Sequence, residues 1–179
     1  MIIVTGMPGA GKDEFVKVAR SLGFMDLHMG NTVREYASRN GIPDDDKEIG
    51  NFAASERKKF GMDIWARRTA EKIESDELTV IDGVRNKEEM DYFSKFSKSI
   101  YVVAIFANRK TRLERILKRD RPDDIRSMEG LIERDNRELS WGIGNVIALA
   151  DYMIVNDESL EIFYERSRKL LFDHFLIRA

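Results

Sequence analysis

The segment Gly6-Met7-Pro8-Gly9-Ala10-Gly11-Lys12-Asp13 combines the residue types needed to hold a polyphosphate. Glycines at fixed spacing let successive backbone N–H groups turn toward one anion with no Cβ in the way. A helix opening near Lys12 adds the positive end of its dipole. The Lys12 ammonium adds a point charge toward the β- and γ-phosphates of a nucleotide. A chance glycine-rich turn would give the same Gly-x4-Gly-Lys spacing. The setting argues against chance, because an apolar strand runs directly into the motif and an amphipathic helix leaves it. Asp13 stands where a hydroxyl normally meets Mg²⁺. A carboxylate also suits Mg²⁺, directly or through water, so Asp13 is a candidate metal-shell residue.

Further candidates follow the other strands. Asp82 ends an apolar run, where an acid has little structural reason to sit; it suits Mg²⁺ through water, or else it caps a helix starting near Lys87. Arg34 and Arg85 come after strand ends, where open α/β sheets place ligands, and would grip an acceptor's phosphate as forks. The alternative for each is a plain surface arginine. Arg109, Arg112, Arg115 and Arg119 fall on one side of a helix, and Arg121 follows. With Glu114, Asp120, Asp123 and Asp124 nearby, this stretch is either a solvated ion-pair network or a clamp over transferring phosphates. In the clamp, Arg115 and Arg119 touch phosphate and Arg112 stacks on the adenine of ATP. Arg134 and Arg137 return to the phosphates beyond the Pro122 turn. Asn156 either fixes an adenine-side loop or is a turn residue. Trp65, Trp141, His28 and His174 are read as structural.

These residues need a frame. Met1 to Thr5, Phe24 to Met29, Leu78 to Ile81, Ile100 to Phe106 and Tyr152 to Val155 read as strands, and helical patterns lie between them. Continuous apolar strands alternating with helices predict a three-layer α/β fold with a parallel sheet of about five strands. Between the second and third strands lie about 48 residues, too many for a simple crossover. That segment reads as helices over 31–39, 47–58 and 63–74. A closing helix is expected over 158–175.

Composition narrows the partners. The 179 residues are 42% hydrophobic and 35% charged, with a formal net charge of −2, which suits one globular domain and argues against duplex nucleic acid as the main partner. The absence of cysteine excludes disulfides, thiolate zinc and cysteine nucleophiles. No apolar run predicts a membrane span and the N-terminus does not read as a signal peptide, so a cytoplasmic protein is expected.

Taken in order, the motifs resemble a family. Gly6 to Lys12 is similar to the phosphate loop of adenylate kinases. Met29-Gly30-Asn31-Thr32-Val33-Arg34 is similar to their AMP-gripping segment. Asp82-Gly83-Val84-Arg85 is similar to their Asp-Gly-x-Pro-Arg motif, one residue shorter and without the proline. The strand before Asn156 resembles the adenine-side region of dephospho-coenzyme A kinases. The nearest resemblance is to an archaeal group of P-loop proteins related to CMP and AMP kinases. It rests on Gly-Lys-Asp in the loop, Arg121-Pro122-Asp123-Asp124 and the run from Arg134 to Gly142, and it covers nearly the whole chain. The resemblance implies strand order 2-3-1-4-5 within a single domain over 1–179, a monophosphate-binding insertion over 31–75 and a lid over 112–137. It further implies that ATP and Mg²⁺ bind at residues 6–13, that Gly30, Arg34, Asp82, Gly83 and Arg85 line the acceptor side, and that Lys12, Arg115, Arg119 and Arg134 serve transfer of the γ-phosphoryl group to AMP or a related monophosphate. The alternatives are a dephospho-coenzyme A-type kinase and a nucleotide sensor or partner-directed ATPase.

Overall fold

A computed structural model describes residues 1–74, 78–97, 99–119 and 125–176. The expectations for Ser75, Asp120, Arg121, Pro122, Asp123 and Asp124 lie outside the described residues.

The first strand, β1 (Ile2–Thr5), is buried throughout. Its side chains alternate across the sheet: Ile2 and Val4 enter one core, with Phe15, Val16, Val103 and Phe163, while Ile3 enters a second, with Met29, Trp65, Ile81 and Phe93. A strand with apolar side chains on both faces demands cover on both, which explains the two cores.

Helix α1 (Lys12–Ser21) turns Phe15, Val16, Val18 and Ala19 into the first core. Strand β2 (Met25–His28) then runs straight into α2 (Met29–Arg39). The insertion continues as α3 (Asp46–Phe60), whose Asp45 side chain accepts from two first-turn amides, and the short α4 (Ile64–Ala70). Strand β3 (Thr79–Asp82) leads to α5 (Lys87–Phe93), and β4 (Tyr101–Phe106) to α6 (Arg109–Arg119). After α7 (Met128–Trp141) and α8 (Ile143–Ala148) come β5 (Tyr152–Val155) and α9 (Leu160–Leu171), which continues as a π-helical turn over Phe172–Leu176.

The five strands pair in parallel in the order β2-β3-β1-β4-β5. This is the expected order. The helix expected over 63–74 is shorter, ending at Ala70. Strand β3 extends one residue further than expected, so Asp82 is its last residue, in register with His28 at the end of β2. Both side chains therefore stand at the carboxyl edge of the sheet, beside the glycine-rich loop.

Candidate functional site

The loop between β1 and α1 is shaped by what it cannot accommodate. Gly6 has φ 147°, and a Cβ there would lie 2.3 Å from the backbone oxygen of Ile105. Gly11 caps α1 with φ 109°, and a Cβ there would lie 2.3 Å from Asn156 Nδ2. Lys12 Nζ donates across the loop to the Gly6 carbonyl at 2.8 Å. Burial pulls the Lys12 pKa below its ordinary value, although the carboxylates of Asp82 and Asp13 oppose that shift. The ammonium and both acids thus share one electrostatic neighbourhood.

A second set of contacts anchors the loop from behind. Arg112 is buried and sends both arms to Asp135, at 2.8 and 2.6 Å, while Nη1 also donates to the Pro8 carbonyl at 3.0 Å. Its guanidinium is thus committed in its plane to α7 and the loop backbone, and Arg112 is not among the residues lining the cavity beside the loop, so the expectation that it stacks on adenine gains no support. Arg115 donates to Asn156 Oδ1 at 3.2 Å, and Asn156 Nδ2 donates to the Ala10 carbonyl at 2.9 Å. Asn156 is buried and bonds the phosphate loop itself through its side chain.

Asp82 is nearly buried, and its Oδ2 meets His28 Nδ1 at 3.0 Å. His28 Nε2 lies 3.0 Å from Asp26 Oδ2. The hydrogen bond to Asp82 raises the His28 pKa above its ordinary value, against the opposing effect of burial. Helix α5 is capped by Asn86, whose Oδ1 accepts from the Glu89 amide at 2.7 Å. The capping alternative for Asp82 therefore falls away. Asp82 Oδ1 is buried with no hydrogen-bond partner among the described residues. An unmatched carboxylate oxygen beside a phosphate loop fits a metal-bound water or an acceptor proton. Among the described residues no group of three or more His, Cys, Asp or Glu could hold a metal by itself. That donor set fits Mg²⁺, which keeps several waters and takes substrate phosphates alongside one or two carboxylates.

One cavity of about 750 Å³ collects these parts. Gly6, Pro8, Gly9, Gly11, Lys12 and Asp13 line its phosphate-loop end. Gly30, Arg34, Asp82, Gly83 and Arg85 line the ends of β2 and β3. Arg115, Arg119, Arg134 and Asn156 line the side formed by α6, α7 and the end of β5. Met7 and Ala10 contribute backbone: the Ala10 N–H donates to the Met7 carbonyl at 3.0 Å. Arg85 is held by Glu138, its Nε donating to Oε2 at 2.5 Å, and its own N–H donates to Glu89 at 2.7 Å. Burial would raise the Glu138 pKa, but Arg85 and Arg134 outweigh it and hold the carboxyl below its ordinary value.

His28 and Glu138 also line this cavity, although neither was expected from the sequence to have a role in it. Arg137, expected to return to the phosphates, is not among the residues lining it and pairs instead with Asp46. His28 had a usable signal, a polar residue at the carboxyl end of a strand, the same signal that marked Asp82. The partnership of Glu138 with Arg85 spans 53 positions and has no local signature.

The AAA domain family matches residues 2–139. A UPF0200 protein of Thermoplasma acidophilum is 77% identical over 99% of this chain and 98% of its own length. The chain belongs to the AAA domain family and is one of the UPF0200 proteins. Among solved structures, a shikimate kinase from Bacteroides thetaiotaomicron is similar with TM-score 0.59 at 18% identity, covering 95% of this chain and 97% of its own. A dephospho-CoA kinase from Campylobacter jejuni is similar with TM-score 0.57 at 19% identity, covering 99% and 98%. These likenesses establish a P-loop kinase-like fold for this UPF0200 protein. No helix among the described residues is long and apolar enough to cross a membrane.

Proposed function

We propose that the protein is an ATP-dependent phosphotransferase that moves the γ-phosphoryl group of MgATP to a nucleoside monophosphate, AMP or a related one. One observation carries this reading: Arg34, Arg85 and Arg134 line the same cavity as the Gly6–Asp13 loop, so cationic forks face a polyphosphate cradle. A phosphate acceptor needs such forks, because two anions must be brought together before an oxygen of one can reach phosphorus in the other.

In this reading the loop amides and Lys12 hold the β- and γ-phosphates. Asp13 and Asp82 would hold Mg²⁺, which neutralises charge on the β- and γ-oxygens when bound. Arg34 and Arg85 align the acceptor's phosphate. Its oxygen attacks the γ-phosphorus as the bond to the β–γ bridging oxygen breaks, leaving ADP and a nucleoside diphosphate. Arg115, Arg119 and Arg134 stabilise the charge that spreads over the transferring group. Residues 31–75 form the acceptor-binding insertion and 112–137 the lid, in keeping with the resemblance to AMP kinases.

Asp82 favours one rival. Its unpaired Oδ1 would also suit a general base for a hydroxyl acceptor, as in a dephospho-coenzyme A-type kinase. A coupled assay with MgATP across nucleoside monophosphates and dephospho-coenzyme A separates the two. Formation of ADP with AMP supports the proposal, and turnover with the hydroxyl acceptor alone transfers it to the rival. Tight AMP binding with no ADP formed points instead to a sensor or partner-directed ATPase. Lys12→Ala is expected to abolish turnover and weaken ATP binding; wild-type values for both would remove the basis of the scheme.

A further inference from the structure

A smaller cavity of about 60 Å³ lies beyond the acceptor end of the main one and shares Arg34, Arg85, Arg134 and Glu138 with it. Its walls carry five guanidiniums, those of Arg34, Arg57, Arg85, Arg134 and Arg137, against two carboxylates, Asp46 and Glu138. Arg57 is 3% exposed and lies over the ring of Trp141, 4.6 Å from its centroid. One arm donates to Glu89 at 2.8 Å, but Nε and Nη1 have no hydrogen-bond partner among the described residues. Arg137 Nε is buried and unmatched in the same way. Arg137 rests against Gly50 of α3, where a Cβ would come within 2.8 Å of its guanidinium. A single carboxylate, Asp46, serves two of the cations: it lies 2.9 Å from Arg134 Nη1 and accepts from Arg137 Nη2.

Buried donors without acceptors are costly, and guanidinium donors most of all, so such a set calls for an oxyanion. A neutral base laid over them would exclude water without pairing them. We propose that this cavity is a second oxyanion site, which takes a carboxylate or phosphate carried by the acceptor away from the phosphate that receives the transferred group. Asp46 stands in for that group in the free protein and is displaced by it. This inference rests on the monophosphate-acceptor reading and narrows it to acceptors with two separated anionic groups.

Matched acceptors test it. Binding to the full-length protein loaded with a non-hydrolysable MgATP analogue is measured by calorimetry for AMP against adenylosuccinate, UMP against orotidylate, and AMP against adenosine 3′,5′-bisphosphate. The first two pairs add carboxylate and the third adds phosphate. At least one doubly anionic member is expected to bind about tenfold or more tightly than its partner. Arg57→Gln and Arg137→Gln should each erase that preference while the plain monophosphate retains its affinity. Asp46→Asn should enlarge it by removing the internal competitor. Melting curves and affinity for the ATP analogue identify variants that fold, and two arginine variants guard against the loss of either one. Equal affinities within every pair, or a preference that none of the three variants alters, would overturn the proposal. If the ATP analogue binds but no monophosphate does, the monophosphate reading itself fails.

Discussion

The phosphate loop depends on residues whose side chains are missing or held down. Gly6 packs against a backbone oxygen that cannot swing aside, and its φ lies where Cβ-bearing residues are rare. Gly6→Ala should therefore destabilise the fold by about 1–3 kcal/mol and weaken ATP-analogue binding as well; thermal melts with calorimetry measure both, and an unchanged melting temperature would contradict the geometry. Glu138 supplies a pH dependence. Its folded pKa lies below the ordinary 4.5, so its contribution to stability is complete well above that value and is lost as pH falls through the lower, folded pKa. Melting temperature should fall on acidification through this window, and less so in Glu138→Gln. Individual residues were unevenly legible. Gly6 to Asp13 could be read because their chemistry is local and consecutive. Arg112 could not, because its fate was decided by Asp135, a partner 23 positions away in another helix.

Helices α6 and α7 act on the loop as a pair. Arg112 of α6 is gripped by Asp135 of α7, and it reaches the Pro8 carbonyl. Breaking a buried ion pair from one side strands the other charge unless a further partner remains. Asp135 also accepts from the half-exposed Arg109 at 3.2 Å, so Arg112→Gln leaves it one partner, whereas Asp135→Asn strands the buried Arg112. The second should cost about 3–5 kcal/mol and the first less. The double variant Arg112→Met/Asp135→Leu should recover much of that loss, because an apolar pair leaves no stranded charge. It should still bind the ATP analogue less well than the wild type, having lost the bond to Pro8. Denaturant titration of the three variants reads the first effect and calorimetry the second; additive losses in the double variant would show that the pair is not coupled. The elements themselves were largely legible, since the five apolar runs and the helical periods between them match the observed strands and most helices. Element ends were less so. The period gives no reason to stop α4 at Ala70 or to carry β3 on to Asp82, because packing and strand register set those limits.

Across the whole molecule, the sheet's carboxyl edge brings both halves of the cavity together. The loop and α6 lie on the side proposed for ATP, while β2, α2 and β3 bring Arg34 and Arg85 to the side proposed for the acceptor. Two polyanions bound a few ångströms apart repel unless cations between them are shared. Arg115, Arg119 and Arg134 line that shared space, so each ligand should help order groups that the other also uses. Coupling of this kind is reciprocal and amounts to about 1–3 kcal/mol in typical cases. AMP, or the acceptor that the matched pairs identify, should therefore bind several-fold more tightly in the presence of a non-hydrolysable MgATP analogue, and the analogue more tightly by the same factor in the presence of acceptor. Arg119→Ala should abolish the factor while each separate affinity stays close to wild type, and kcat should fall far more than KM rises. Calorimetric titrations in both orders measure the coupling, and steady-state kinetics measure the split. Identical acceptor affinities with and without the ATP analogue would mean that the two ends of the cavity work independently, and the lid role given to Arg119 would then have to be abandoned.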